Sequence, residues 1–254
     1  MTRYFAPRAL LEDGWQHNVL IDVDSHGKIA SLTANSQPQD AQRLDGIVIP
    51  AMANLHSHAF QRAMAGLAEV AGDPQDSFWT WRDLMYRMVQ RLSPQQVGAV
   101  AAALYVEMLK GGYCQVAEFH YLHHQPDGQP YPQDEMLTEL IAAAERSGIG
   151  QTLLPVLYSY AGFGSQPAQP GQKRFIQDTA AYLDQQQRLV KLIDGKPLIS
   201  HGLCFHSLRA VSEAQMHEVL AASPAHLPVH IHVAEQEKED NDSLAWSGER
   251  PVSC

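Results

Sequence analysis

The pattern of apolar and polar positions divides the chain into a short β-rich beginning and a longer region of alternating strands and helices. Up to about residue 48 the apolar runs are short and alternating, as at 19–23 and 29–32, and turn signals separate them. Such runs predict β-strands. Beyond them, short apolar runs alternate with stretches in which apolar residues recur at helical spacing.

In this second region each predicted strand is followed by a predicted helix. The strands are expected at 47–55, 114–121, 152–157, 198–203 and 228–234, and the helices at 79–91, 95–110, 134–147, 172–191, from 212 and at 236–246. Strands that alternate with helices predict βαβ units and a mainly parallel sheet. Polar residues repeatedly follow the carboxyl ends of the strands, which is where a (β/α) barrel builds its site.

The number of predicted units is smaller than a closed barrel requires. The chain holds about five βα units in 254 residues, whereas a closed barrel needs eight. An open parallel array leaves a strand edge without a partner, which is unfavourable. We therefore expect that further strands lie beyond residue 254, and a different α/β arrangement is the alternative.

Composition and charge narrow the classes of function. The chain is 45% hydrophobic, which allows a sizeable core, and its net charge of −10 argues against nucleic-acid binding. No signal peptide is apparent, and no apolar run reaches the length of a membrane span. Cys114, Cys204 and Cys254 are widely spaced, as in proteins of a reducing compartment. These features predict a cytoplasmic protein.

Histidine pairs provide the first indication of metal chemistry. His56 and His58 close one apolar run, and His230 and His232 close another. Residues two apart on a strand point to the same face, so both rings of a pair can converge on one ion. A single pair is more often an ordinary polar strand end. Two pairs, each closing a strand of a parallel pattern, favour a shared metal site with His232 as the third ligand.

Glu235 follows His232 by three residues, just past the predicted strand. A carboxylate at that position can relay the proton of an activated water. The alternative is a solvated charge at a helix start, because Glu237, Glu239 and Asp240 follow.

Several strings carry a resemblance to a known family. Residues 54–58 resemble the first metal-binding strand of the amidohydrolase superfamily, and residues 230–235 resemble the fifth strand of its deaminase branch. Within that branch the chain is most similar, over its whole length, to the formimidoylglutamate deiminases. The strings that carry this similarity are HAFQRA (58–63), FWTWR (78–82), EFHYLHH (118–124), GLCFHSLRAV (202–211) and HVAEQ (232–236).

The resemblance implies a fold and an activity. The fold would be an α/β (β/α)8 TIM-type barrel, incomplete over residues 49–254, preceded at 1–48 by part of a small β-sandwich domain. The enzyme would be a metal-dependent hydrolase acting on a C–N bond of an amidine. It would convert N-formimidoyl-L-glutamate to N-formyl-L-glutamate and ammonia in histidine degradation. We also expect a homodimer, and no nucleic-acid or membrane partner.

The resemblance further implies a set of metal and catalytic residues. One zinc ion per chain would be held by His56, His58, His232 and an Asp of the last barrel strand. Glu235 would be the proton shuttle, aided by a His of the sixth strand. Neither that Asp nor that His can be placed in this sequence. Iron and manganese remain open, because their ligand sets overlap with that of zinc.

The substrate carries two carboxylates, so a pocket for it should contain fixed cations. Arginine binds a carboxylate with two parallel hydrogen bonds. Arg82 and Arg209 match family positions that grip the glutamate moiety. Read without the family, Arg82 is a surface helix residue and Arg209 a helix-start cation paired with Glu213. Further substrate contacts are implied for Gln61, Tyr121 and His206.

Three other readings stay open at this point. The chain could belong to a related deaminase that acts on a purine, pterin or triazine ring. It could be a non-catalytic fragment of such an enzyme, which binds metal weakly. It could also be an α/β binding protein whose histidines are structural.

Overall fold

The structure is a computed structural model that describes residues 1–67 and 78–253, with side chains from residue 80 in the second range. Cys254 and the side chains of Phe78 and Trp79, which entered the sequence analysis, lie outside the described residues. The chain divides into two compact units, Met1–Met52 and Ala53–Cys254. The sequence placed this boundary slightly earlier, between residues 48 and 49.

The first unit contains one sheet of five strands. The strands are β1 (Thr2–Leu11), β2 (Gly14–Val23), β3 (Ile29–Thr33), β4 (Gln42–Arg43) and β5 (Ile47–Val48). β2 pairs with β1 and β3 in antiparallel register, and β4 and β5 pair with β1 in parallel. Its small core contains Ala6, Ala9, Val19 and Ile21. The expected β-rich beginning is therefore present, and the assignment to a β-sandwich stays a prediction.

The second unit is built, over its described residues, on six strands. They are β6 (Met52–Ser57), β7 (Tyr113–His120), β8 (Gly150–Pro155), β9 (Ile199–His201), β10 (Leu203–Ser207) and β11 (Val229–His232). The pairs β7–β8, β8–β9 and β10–β11 are parallel. The order is β6-β7-β8-β9 in one sheet and β10-β11 in another, and a parallel bridge between Leu157 and Phe205 connects β10 to the residues that follow β8. The predicted parallel α/β class is confirmed, with β9 and β10 together forming the fourth of five barrel strands.

Within residues 78–253, six α-helices accompany these strands. They are α1 (Phe78–Val89), α2 (Pro94–Lys110), α3 (Glu135–Ser147), α4 (Thr179–Leu192), α5 (Glu213–Ala222) and α6 (Glu237–Ser247). In the described ranges the chain also forms two 3-10 helices, Ala59–Met64 directly after β6 and Pro170–Gln172 between α3 and α4. Ser93 and Ser212 cap α2 and α5 as capping boxes, which confirms the helix starts predicted there. Gly148 ends α3 with a φ of 80°, a conformation that favours glycine.

Two predicted strands are interrupted in the structure. The run 47–55 is broken at Pro50, which has no N–H to donate to a ladder, so β5 and β6 are separate. The run 198–203 is broken at Gly202 and continues to Ser207 as β10. A Cβ atom at Gly202 would lie 2.8 Å from the carbonyl oxygen of Pro228, so the close approach of the two backbones requires glycine.

The helix predicted for 172–191 begins later than expected, at Thr179. Asp178 is its N-cap and accepts a hydrogen bond from the Ala181 N–H. The preceding residues are held instead by tertiary contacts of Arg174, a fully buried side chain. Its guanidinium donates to the carbonyl oxygens of Val89, Leu92 and His124. Contacts with residues about fifty to eighty-five positions away therefore override the local helical pattern.

The main core lies between the strands and the helices of the second unit. Apolar side chains of β7 and β8 pack against those of α2 and α3. Large buried side chains in this layer are Tyr105 of α2, Phe119 of β7, and Met136, Leu137 and Leu140 of α3. A second cluster joins β10 to α4 and α5 through Phe205, Tyr182 and Val219. This packing fixes the carboxyl ends of the strands, where the polar residues of the candidate site follow. Among the described residues, no helix has the length and apolarity needed to cross a membrane.

Candidate metal centre and active site

Three imidazoles from two strands meet at the carboxyl ends of the sheet. His56 lies in β6, His58 follows it directly, and His232 is the last residue of β11. One ring nitrogen of each lies within 4.8 Å of the others, and Nε2 of His56 is 3.3 Å from Nε2 of His232. Nitrogens bound at 2.0–2.1 Å to one tetrahedral ion are roughly 3.3 Å apart. The spacing of His56 and His232 therefore fits two ligands of one metal ion, and His58 completes a histidine cluster that could hold it.

His58 is held by a hydrogen bond that leaves its other nitrogen free. Its Nδ1 lies 2.8 Å from the carbonyl oxygen of Phe119. A carbonyl can only accept, so Nδ1 carries the proton and Nε2 carries the lone pair. The Phe119 ring also stacks on His232 with 4.0 Å between centroids. One residue of β7 thus contacts two histidines of this group, one from each strand.

The environment keeps these imidazoles neutral. Burial lowers the pKa of His58 well below its usual range, and repulsion from His232 and His56 lowers it further. Burial, with His56 and Arg209, lowers the pKa of His232 to about 4. Neutral imidazole is the form that binds a metal ion. Burial lowers the pKa of His56, and His230 lowers it further, although His230 does not belong to the three-residue group.

Glu235 reaches the same cavity from the turn between β11 and α6. Ala234 adopts a φ of 56°, an uncommon backbone conformation for a residue other than glycine, and it redirects the chain after the strand. Burial raises the pKa of Glu235, the positive charge of Arg209 opposes this shift, and Glu239 reinforces it. The carboxyl group is therefore more basic than a solvated one, as a proton relay requires.

All nine residues singled out in the sequence line one cavity of about 140 Å³. They are His56, His58, Gln61, Arg82, Tyr121, His206, Arg209, His232 and Glu235. The structure thus brings together residues that lie up to 179 positions apart in the sequence, from His56 to Glu235. Their roles stay predictions, because proximity alone does not assign chemistry.

The two arginines enter the cavity from different elements. Arg82 comes from α1, with its guanidinium carbon 5.5 Å from the centre of the Tyr86 ring. Arg209 follows β10. Burial lowers the pKa of its guanidinium, but the combined effect of Tyr158, Glu239 and Glu235 is larger, so the pKa is raised overall. The sequence suggested an ion pair between Arg209 and Glu213. The described residues do not form that pair; Oε1 of Glu213 lies instead 3.8 Å from Nε2 of His217.

Gln61, Tyr121 and His206 add polar groups to the walls. The Gln61 amide donates to the Tyr121 hydroxyl at 2.9 Å, and that hydroxyl donates to the sulfur of Met85 at 3.4 Å. His206 Nδ1 is 3.1 Å from the Ser207 hydroxyl. Burial and then Arg209 lower the pKa of His206 well below its usual range. These groups can orient a small polar ligand.

The sequence analysis missed the aromatic lining and one polar partner. Trp81, Tyr86, Tyr158 and Phe175 complete the wall. The Tyr158 hydroxyl accepts from the Gln172 amide at 2.7 Å and lies near enough to Arg209 to help raise the pKa of its guanidinium. Tyr158 lies just past the end of β8. That position could have identified it from the sequence, because other site residues also follow strand ends. The loop residues His123 and His124, assigned no role, are hydrogen-bonded to the carbonyl oxygens of Val156 and Ile176.

Both units of the chain match models of known protein families. Residues 47–252 match the model of the amidohydrolase family, and residues 1–46 match that of the N-terminal domain of the formimidoylglutamate deiminase HutF. The chain is 57% identical to formimidoylglutamate deiminase of Pseudomonas aeruginosa over 253 residues, which is 99% of this chain and 56% of that protein. The chain spans about half the length of the curated relatives that it matches.

Solved structures give the same picture. The crystal structure of an amidohydrolase from Brucella melitensis is 46% identical, with a TM-score of 0.93 over 100% of this chain and 56% of that chain. An adenosine deaminase from Xanthomonas campestris, crystallised with zinc, is 19% identical, with a TM-score of 0.67 over 99% of this chain and 53% of that chain. At that identity the second likeness shows the fold alone.

Proposed function

The chain belongs to the amidohydrolase family, and from this premise we propose that it provides most of the active site of a zinc-dependent formimidoylglutamate deiminase. The reaction is the hydrolysis of N-formimidoyl-L-glutamate to N-formyl-L-glutamate and ammonia, a step of histidine degradation. One observation carries the proposal: a single cavity holds a three-histidine cluster and the two arginines Arg82 and Arg209. The 57% identity to a formimidoylglutamate deiminase supports the choice of substrate.

The arginines explain why this substrate suits the cavity. Each carboxylate of the glutamate moiety needs a fixed cation, and a guanidinium can bind it with two parallel hydrogen bonds. Arg209 lies near Tyr158, which helps to raise the pKa of its guanidinium, and Arg82 lies over Tyr86. A flat, uncharged purine or triazine ring would make no comparable use of the two charges. The same pair therefore favours an acyclic dicarboxylate over a ring substrate.

His56, His58 and His232 would hold the metal ion. When bound, zinc lowers the pKa of a coordinated water toward about 7 and polarises the bond to be attacked. Glu235, whose pKa is raised by burial, would take a proton from the attacking water and pass it to the nitrogen that leaves as ammonia. His206, neutral and adjacent to His232, would hydrogen-bond the formimidoyl group.

Ammonia release tests the proposal. The assay uses the chain itself and a full-length relative, each loaded with zinc, with formimidoylglutamate compared against guanine and a chlorinated triazine. At the position of Glu235, Glu→Gln should lower kcat by about 10²–10⁴-fold, the usual effect of losing a general acid–base group. The control is Glu213→Gln, on the exposed surface of α5. Full turnover by the Glu235→Gln variant, or a preference for a ring substrate, would contradict the proposal.

The assembly and location are further parts of the proposal. We expect a homodimer, which light scattering of the purified protein would measure directly. A cytoplasmic location is supported by the free thiols of Cys114 and Cys204. Fractionation of cells that produce the protein would test it.

A further inference from the structure

Glu118 is a buried carboxyl group outside the cavity. It lies in β7, its relative exposure is 0%, and it faces α2 through a contact with Tyr105. None of the ion pairs formed among the described residues involves it. Burial raises its pKa to about 7, which reflects the cost of placing a carboxylate in the core. Such a group needs a compensating role.

Its main contact is with the backbone next to a proposed zinc ligand. Oε1 of Glu118 accepts a hydrogen bond from the Ala59 N–H at 2.6 Å. Ala59 follows His58 and is the first residue of the 3-10 helix Ala59–Met64. The first N–H groups of a helix have no partner within the helix, and a side chain at the N-cap usually satisfies one of them.

His58 occupies the N-cap position but makes no side-chain cap hydrogen bond. Its Nδ1 is committed to the carbonyl oxygen of Phe119, and its Nε2 faces the histidine cluster. A ring that serves as a metal ligand cannot at the same time cap the helix. The capping function therefore has to come from another element.

We propose that Glu118 is a positioning residue, which caps Ala59 from the neighbouring strand and thereby sets the orientation of His58 toward the metal. The peptide that Glu118 holds joins His58 to Ala59, so fixing its N–H fixes the ψ angle of His58. The next residue of β7, Phe119, holds the ring of the same histidine. Two successive residues of β7 thus fix the backbone and the side chain of one ligand.

The carboxyl group is itself held in place from the helix side. The Tyr105 hydroxyl donates to Oε2 of Glu118 at 3.2 Å, and the Gln151 amide donates to the Tyr105 oxygen at 3.0 Å. Gln61, in the capped helix, reaches the cavity through its bond to Tyr121. Glu118 therefore supports one proposed ligand and one proposed substrate contact. The inference rests on the metal site proposed above.

Zinc affinity of the whole chain tests this inference, measured by competition with a chromophoric chelator. Glu118→Met removes the acceptor and keeps a similar volume, and it should weaken zinc binding by about 10–100-fold, as for lost outer contacts of metal ligands. Glu118→Gln keeps an acceptor for Ala59 and should remain within about threefold of the wild type. The matched control is Gln185→Met, a buried polar side chain on α4, which should leave zinc affinity unchanged.

The outcomes separate this inference from the proposed function. If the wild type binds no zinc, the metal site itself is wrong. If the wild type binds zinc and folded Glu118→Met binds it equally well, or Gln185→Met weakens it as much, Glu118 has no positioning role. Should Glu118→Met fail to fold, hydrogen exchange decides: the Ala59 amide must be protected in the wild type and in Glu118→Gln, and an unprotected amide overturns the inference.

Discussion

The carbonyl oxygen of Phe119 accepts a hydrogen bond of 2.8 Å from Nδ1 of His58. This contact assigns the tautomer of the ring without reference to a bound ion, and it directs the remaining lone pair toward the other two imidazoles. An outer contact of this kind is a common partner of metal-ligating histidines. This geometry supports the proposal that His58 is a metal ligand.

Zinc binding should depend on three histidines and not on their neighbour in β11. His58→Ala and His232→Ala should each lower zinc affinity by more than the 10–100-fold typical of a lost outer contact. His230→Ala is the matched control, since it lies in the same strand but outside the cluster. Chelator competition measures the zinc affinity of each variant, and metal analysis of the dialysed protein measures its zinc content. Equal losses for His230→Ala and His232→Ala would contradict the assigned ligand set.

Tyr158 should contribute to substrate binding through Arg209. Tyr158→Phe removes the hydroxyl that accepts from the Gln172 amide and lies near enough to Arg209 to help raise the pKa of its guanidinium. An ordinary hydrogen bond contributes about 0.5–1.5 kcal/mol, so loss of this support should raise KM for formimidoylglutamate by up to about tenfold. A full-length relative carrying the substitution gives the measurement, with kcat little changed. Tyr160→Phe, outside the residues that line the cavity, is the control; an unchanged KM for Tyr158→Phe would show that Arg209 does not need this support.

Arg174 should be among the most sensitive positions for stability. Arg174→Met removes the donor that serves the carbonyl oxygens of Leu92 and His124 and the Tyr131 hydroxyl. Each buried acceptor left without a partner costs about 1–3 kcal/mol, so the free energy of unfolding should fall by about 3 kcal/mol or more. Urea unfolding measures this. Arg188→Met, which removes a half-exposed ion pair with Asp134, should cost about 0–1 kcal/mol.

The stability of the fold should decrease in mild acid because of buried neutral histidines. Burial lowers the pKa of His120 from its ordinary value of 6.5 to about 3. Between these values the unfolded chain binds the proton and the folded chain does not, so the contribution of His120 is full above pH 6.5 and is lost as the pH falls toward 3. Each such group reduces the free energy of unfolding by about 1.4 kcal/mol per pH unit in that range.

Urea unfolding at pH 7, 6 and 5 gives the measurement for this pH effect. His120→Gln should make the dependence on pH shallower. The control is His217→Gln, because that side chain is exposed on α5. A wild-type free energy of unfolding that stays constant from pH 7 to pH 5 would contradict the prediction.

Local sequence signals located most of the elements of the second unit. The helices predicted at 95–110, 134–147 and from 212 are present as α2, α3 and α5. Ser93 and Ser212 cap α2 and α5, and Gly148 ends α3. These signals are reliable because the partners lie within three or four residues. The prediction that α4 begins at residue 172 was wrong for the opposite reason. Distant hydrogen-bond partners of Arg174 keep the residues before Thr179 out of the helix.

The sequence by itself determined the strand and helix alternation, the histidine spacing and, through the family strings, the residues of the candidate site. Only the tertiary structure shows that the Nε2 atoms of His56 and His232, which are 176 positions apart in the sequence, lie 3.3 Å from each other. It also decided that Glu118 meets the backbone of Ala59, 59 positions away. Periodicity and capping act within one or two turns of chain, whereas these contacts depend on how strands are ordered in the sheet. That order follows from packing of the whole core, which no local pattern encodes.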